Sequence, residues 1–160
     1  MHKIPFNKTQ GEVNVQERLH ILNNKQRHAV LATDSDGQPY TSLVAFALTP
    51  DAKGLLFATP KKTTKYQNML DNNRVSLMID TRSNSARGYM KSEAMTILGS
   101  ATPLRRSNKW NELAGSFIKK HPGLEEFVMA HSTALVLVSF TKVLHAGKFQ
   151  TVTVWDKKKE

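Results

Sequence analysis

No apolar stretch in this chain is longer than a strand. The clearest are "LVAFAL" (43–48) and "ALVLV" (134–138). Further strand-like segments follow at short spacing: "HAVLATD" (28–34), "YTSLVAFAL" (40–48), "LLFAT" (55–59), "RVSLMID" (74–80), "AMTILGSATPL" (94–104), "TALVLVSFTKVLHAG" (133–147) and "QTVTVW" (150–155). Turn chemistry separates the early ones. "SDGQP" follows the first, so 28–48 reads as a hairpin, and "TPDAKG" (49–54) precedes "LLFAT". Gly99 inside a strand signals a bulge or a close backbone approach. Strands that cluster, rather than alternate with helices, argue against a parallel nucleotide-binding sheet. The pattern predicts a mainly β fold, a six- or seven-stranded antiparallel barrel with flanking helices.

The helices are marked by period and caps. Asn14 with Glu17 three residues on has capping-box spacing, and Val15, Leu19 and Leu22 share a face, which predicts a helix ending near His28. Ser107 caps a second, where Trp110, Leu113, Ala114, Phe117 and Ile118 form an apolar stripe. "HPG" (121–123) stops it, and "LEEFVMA" (124–130) reads as a short helix. The polar stretch 81–92 reads as a loop. At 160 residues, with no repeat and no composition break, residues 1–160 form one domain, with 1–13 and 156–160 as peripheral tails.

Several function classes are excluded early. No run approaches the roughly 18–20 apolar residues of a membrane span, and "MHKIPFNKTQ" has no secretory apolar region. The absence of cysteine removes disulfides, thiolate catalysis and sulfur metal sites, and predicts a cytoplasmic home. The six histidines have no metal-ligand spacing. No nucleophile-elbow pattern occurs, and Glu125-Glu126 belongs to a surface helix.

The net charge of +10 asks for an anionic partner. Within "LLFATPKKTTKYQNMLDNNRVSLMID" (55–80), a strand, turn, helix and strand in series, Lys61, Lys62 and Lys65 crowd a helix start. That end of a helix carries partial positive charge and prefers acids. Either Thr63 simply caps the helix while the lysines stand in water, or an anion sits among them. A phosphate would accept the unsatisfied N–H groups and complement the ammoniums. Thr59, Thr63 and Thr64 add hydroxyls on the same turn, and Tyr66, Met69 and Leu70 would pin the helix to the sheet.

The order "GQPYTSLVAFAL", then "LLFATPKKTTKYQNMLDNNRVSLMID", resembles the flavin-binding half of the pyridoxamine 5'-phosphate oxidase-like family. The family's pattern is an Arg-x-Val-Leu-Leu-Lys strand, a Tyr-Thr pair, a Ser-Arg-Lys triplet opening a helix, and "NNPRVSL". Here those elements read Ser42–Ala47, Ala58-Thr59, Thr63-Thr64-Lys65 and Asn72–Leu77. The resemblance implies an FMN-binding split β-barrel, a homodimer with flavin at the interface, and an oxidoreductase acting on a small molecule or electron partner. It implies that Thr59, Thr63, Thr64 and Lys65 hold the FMN phosphate, next to Ala58, and that the backbone of Ser42, Leu43 and Val44 lies beside the isoalloxazine and ribityl chain. Lys61 and Lys62 would add charge.

Ser42 and Thr64 stand where the family has arginines, Ala47 where it has lysine, and Ala94 where it often has glutamine. The C-terminal Arg-Leu-x-Pro signature is absent, so pyridoxamine phosphate oxidation itself is not expected. The alternative within the fold is a non-catalytic flavin or haem carrier, for which His145 is the histidine to watch. Binding of single-stranded nucleic acid is the rival from another class; its aromatic and basic residues do not interleave as that function requires.

Overall fold

The computed structural model describes residues 7–8, 13–147 and 151–159. Among these residues eight strands and four helices follow in the order β1 (Asn7–Lys8), α1 (Val15–Lys25), β2 (His28–Ser35), β3 (Gln38–Leu48), β4 (Gly54–Pro60), α2 (Thr64–Asp71), β5 (Arg74–Asp80), β6 (Ala94–Pro103), α3 (Asn108–Lys120), α4 (Glu125–Met129), β7 (Thr133–Gly147) and β8 (Thr151–Asp156). Six strands run β7-β4-β3-β2-β5-β6, and β6 returns to pair with β7, closing an antiparallel barrel. β8 extends the sheet along the second half of β7, and the two-residue β1 joins β8 in parallel.

The 15-residue β7 makes this closure possible. It pairs β6 along most of its length, β4 through Thr133–Ser139 and β8 through Lys142–Gly147. A bulge lies between Leu98 and Gly99, where the register to β7 shifts and Thr141 is left over; its hydroxyl donates to the Leu98 carbonyl at 2.9 Å. A Cβ on Gly99 would stand 2.4 Å from the Ser139 carbonyl oxygen, so only glycine fits. The β2–β3 hairpin closes on Asp36-Gly37, both with positive φ, as a two-residue turn requires.

Two apolar layers share the β4 and β7 strands. Phe46, Leu55, Phe57, Leu77, Ile97, Val136 and Val138 fill the barrel together with Val15, Leu19 and Leu22 of α1. Outside it, Trp110, Leu113, Ala114 and Phe117 of α3 pack with Val128 on Ala47, Leu56 and Leu135. β4 and the first half of β7 are therefore covered on both faces, which explains their unbroken apolar runs. β2, β5 and β6 alternate buried with partly exposed positions instead.

Some expectations shift. The barrel itself closes with six strands, within the six or seven expected, while β8 and the two-residue β1 extend its sheet; positions 1–6, 9–12, 148–150 and 160, including Gln150 of the last predicted strand, lie outside the described residues. Asp156 belongs to β8, and a 3₁₀ turn covers Lys157–Lys159. α1 ends at Lys25 rather than near His28, because Gln26 turns to extended backbone ahead of β2. Part of the 81–92 loop, Ala86–Gly88, is a 3₁₀ turn. Among the described residues no helix is long and apolar enough to cross a membrane.

Candidate functional site

The barrel is split where β3 leaves β4. β3 pairs β2 from Gln38 to Ala45 on one edge, but meets β4 only through Phe46–Leu48 opposite Leu55–Phe57. Beyond that point Ala58, Thr59 and Pro60 pair only with β7 among the described residues. α2 begins directly after this parting. Its buried Met69 enters the barrel core, and Asn68 Nδ2 donates to Thr33 Oγ1 of β2 at 3.1 Å. Leu70 departs from the expected apolar anchor: it is 54% exposed, and the buried Asn68 takes the inward position instead.

The predicted residues fall into two groups flanking that parting. Ser42, Leu43 and Val44 lie on β3. Val44 faces the core, Leu43 is 65% exposed, and Ser42 Oγ is buried with no hydrogen-bond partner among the described residues. Ala58, partly buried, opens the second group within β4, and Thr59 beside it is 1% exposed. No hydrogen bond joins the β3 group to residues 58–65 among the described residues.

The turn from Thr59 to Lys65 is tightly built. Thr63 caps α2: its Oγ1 accepts the Tyr66 N–H at 3.4 Å and donates to the Pro60 carbonyl at 2.9 Å. Thr59 Oγ1 lies 2.9 Å from Thr63 Oγ1. The Lys61 N–H donates to the Ser132 carbonyl at 2.9 Å, which ties the turn to the entry of β7. Gln67 Nε2 donates to the Lys61 carbonyl at 3.3 Å. Lys61, Lys62 and Thr64 are exposed and Lys65 is partly buried. The first turn of α2 holds no acid, and none of these lysines is in an ion pair among the described residues. The helix N-terminal N–H groups and three ammoniums thus share one turn with no anion among the described residues to answer them.

His145, the histidine singled out for a haem role, is held by a carboxylate. It is buried, and its Nε2 lies 2.7 Å from Glu93 Oε2. Arg18 of α1 pairs with the same carboxylate. Burial alone would raise the Glu93 carboxyl, but hydrogen bonds from Arg18 and His145 outweigh it and hold the group below its usual range. His121 is also engaged, its Nε2 2.8 Å from the Phe46 carbonyl, and burial pushes its pKa down. Lys120 Nζ stands 3.7 Å from the centroid of the Phe46 ring and 3.1 Å from Asn23 Oδ1. Desolvation lowers Lys120 to about 8.

Sequence reasoning did not find the Arg18–Glu93–His145 cluster. Its members lie 75 and 52 residues apart, so no local pattern announces it. It also missed a groove of about 640 Å³ over β2, β5 and β6, lined by Thr33, Asp34, Arg74, Ser76 and Ser100 among others. Among the described residues no group of three or more His, Cys, Asp or Glu side chains is placed to hold a metal ion.

A six-stranded closed antiparallel barrel with a parted strand pair and flanking helices is a split-barrel architecture. Residues 15–145 match the sequence pattern of the family described as Pyridoxamine 5'-phosphate oxidase, and the chain belongs to that family. Similar solved structures include a heme binding protein from Mycobacterium smegmatis, with 14% identity and a TM-score of 0.79 over 92% of this chain and 60% of that one. The heme storage protein HutZ from Vibrio cholerae gives 16% and 0.68 over 80% and 91%. An FAD-binding protein from Mesorhizobium loti gives 15% and 0.65 over 81% and 90%. At these identities the likeness is one of fold. No curated protein is similar enough in sequence to count as a match.

Proposed function

We propose that this protein is an FMN-binding flavoprotein that works as a homodimer, an oxidoreductase of the family acting on a small molecule or an electron partner. The reading rests on one observation: α2 opens with a capped turn, no acid, and Lys61, Lys62 and Lys65 without carboxylate partners among the described residues, beside the parting of β3 and β4. That donor set suits a phosphate monoester, and the orphaned hydroxyl of Ser42 offers a polar contact on the β3 side. In this reading Thr64, the lysines and the N–H groups at the start of α2 hold the phosphate, while the Ser42–Val44 backbone flanks the ring and ribityl chain. A bound flavin supplies one- and two-electron redox chemistry. The chain's residues fix its position and shield it from water.

Homodimer formation is supported by a row on the outer face of the sheet that is apolar except for one threonine. Leu43, Val30, Met78, Thr96, Leu144 and Val154 stand in register across six strands, and each is at least partly exposed. The parted edge of β3 carries one end of that row, so a second copy packed there would border the flavin. The cysteine-free composition accords with a cytoplasmic setting.

The second reading, a haem or flavin carrier, is favoured by the fold likeness to haem-binding proteins. The test is a visible spectrum of the purified protein titrated with FMN, then with haem. Saturable FMN fluorescence quenching at stoichiometric ratio supports the proposal, and photoreduction with an external donor then asks whether the bound flavin exchanges electrons. A Soret band with no flavin response supports the carrier reading. Oligonucleotide binding that falls steeply with salt, with neither cofactor engaged, would overturn both.

A further inference from the structure

Thr59 and Thr63 supply two hydroxyl protons, and the turn consumes both. A hydroxyl donates once and accepts at two lone pairs. If Thr59 donates to Thr63 across 2.9 Å, Thr63 donates to the Pro60 carbonyl at 2.9 Å and also accepts the Tyr66 N–H. If Thr63 donates to Thr59 instead, the Thr59 proton goes to the same carbonyl at 3.4 Å. In either arrangement no proton is left for a ligand outside the turn. Thr59 is also 1% exposed, which keeps its oxygen behind the surface that a phosphate would touch.

We infer that Thr59 is a positioning residue of this site and not a ligand of the phosphate: its buried hydroxyl fixes Thr63, and Thr63, as the cap, sets the direction of the first N–H groups of α2 and of the Lys65 stem. The inference rests on the FMN reading and deepens it. It separates the predicted set into a contacting layer, formed by Thr64, Lys65 and the neighbouring lysines, and a supporting layer. α2 has a second anchor in the Asn68–Thr33 hydrogen bond, which reaches the helix from the other direction and provides an internal control.

The experiment is a double-mutant cycle read by binding. FMN and riboflavin affinities are measured by fluorescence quenching for wild type, Thr59→Val, Thr59→Ser, Thr63→Val, the Thr59→Val/Thr63→Val pair and Asn68→Ala. Thr59→Val is expected to weaken FMN about five- to tenfold, the scale of one lost cap bond, with riboflavin unchanged. Thr59→Ser restores the wild-type ratio, because it keeps the hydroxyl. In the Thr63→Val background the effect of Thr59→Val disappears, since the path runs through Thr63. Without any flavin, the Tyr66 amide exchanges faster in Thr59→Val. Asn68→Ala lowers stability and leaves the FMN-to-riboflavin ratio intact.

A full loss from Thr59→Val in the Thr63→Val background makes Thr59 a ligand and overturns the inference. So does an equal loss of both flavins, or an unchanged Tyr66 amide. A wild type that takes up neither flavin overturns the FMN reading itself, and that result is known before any variant is made.

Discussion

Lys65 carries the sharpest test at the scale of a single residue. It lies in the first turn of α2, half-buried and without a carboxylate partner among the described residues. If it answers a phosphate, Lys65→Ala weakens FMN about tenfold or more, the scale of a charge-assisted hydrogen bond. Riboflavin, which lacks the phosphate, binds as before. Equal losses for the two flavins, measured by titration, would remove the phosphate from this turn. Lys120 gives a second prediction that needs no ligand. Its folded pKa is about 8 against an ordinary value of 10.5. Between those values the unfolded chain binds more protons, so stability rises with pH across that window. Urea midpoints from pH 7 to 10 should show the rise in wild type and lose this component in Lys120→Met. Neither property of Lys120 was legible beforehand, because Asn23 and Phe46 meet it from distant parts of the chain.

The elements show how well local chemistry reads and where it stops. The caps Asn14, Thr63 and Ser107 all bond as their spacing indicates, since a cap involves only neighbours. The Gly99 bulge was legible because glycine in a strand has few other reasons. Gly99→Ala is therefore expected to destabilise by about 1–3 kcal/mol, the scale of overpacking, as a chemical denaturation curve would register. Glu93 ties α1 to β7 through Arg18 and His145. Its folded pKa is depressed, so its contribution is present above the unfolded value of 4.5 and is lost as pH falls through the folded pKa. Glu93→Gln should lower stability at neutral pH by about 1–3 kcal/mol and flatten the acid limb of the midpoint-versus-pH curve. An acid limb identical to wild type would remove Glu93 from the account. α2 shows the opposite case: a 3.6 period assigned Leu70 inward, but an eight-residue helix presents few positions, and the Asn68–Thr33 bond rotates its buried face.

For the whole molecule, the uncovered outer row predicts self-association. Charging it with Leu43→Lys and Met78→Lys is expected to turn a dimer into a monomer by sedimentation velocity and to weaken FMN together with assembly. A wild-type monomer that binds FMN tightly would place the site within one chain. The sequence by itself determined the strands, the caps, the mainly β class and the family resemblance, because strand alternation, turn residues and apolar period are properties of short windows. Tertiary structure alone decided that β7 is long enough to serve β6, β4 and β8 at once, that β3 leaves β4 at Phe46, and that Thr59 turns its hydroxyl to Thr63. It also joined Arg18, Glu93 and His145. The physical reason is that edge pairing and burial depend on which surfaces meet, and a local window holds only one side of each meeting.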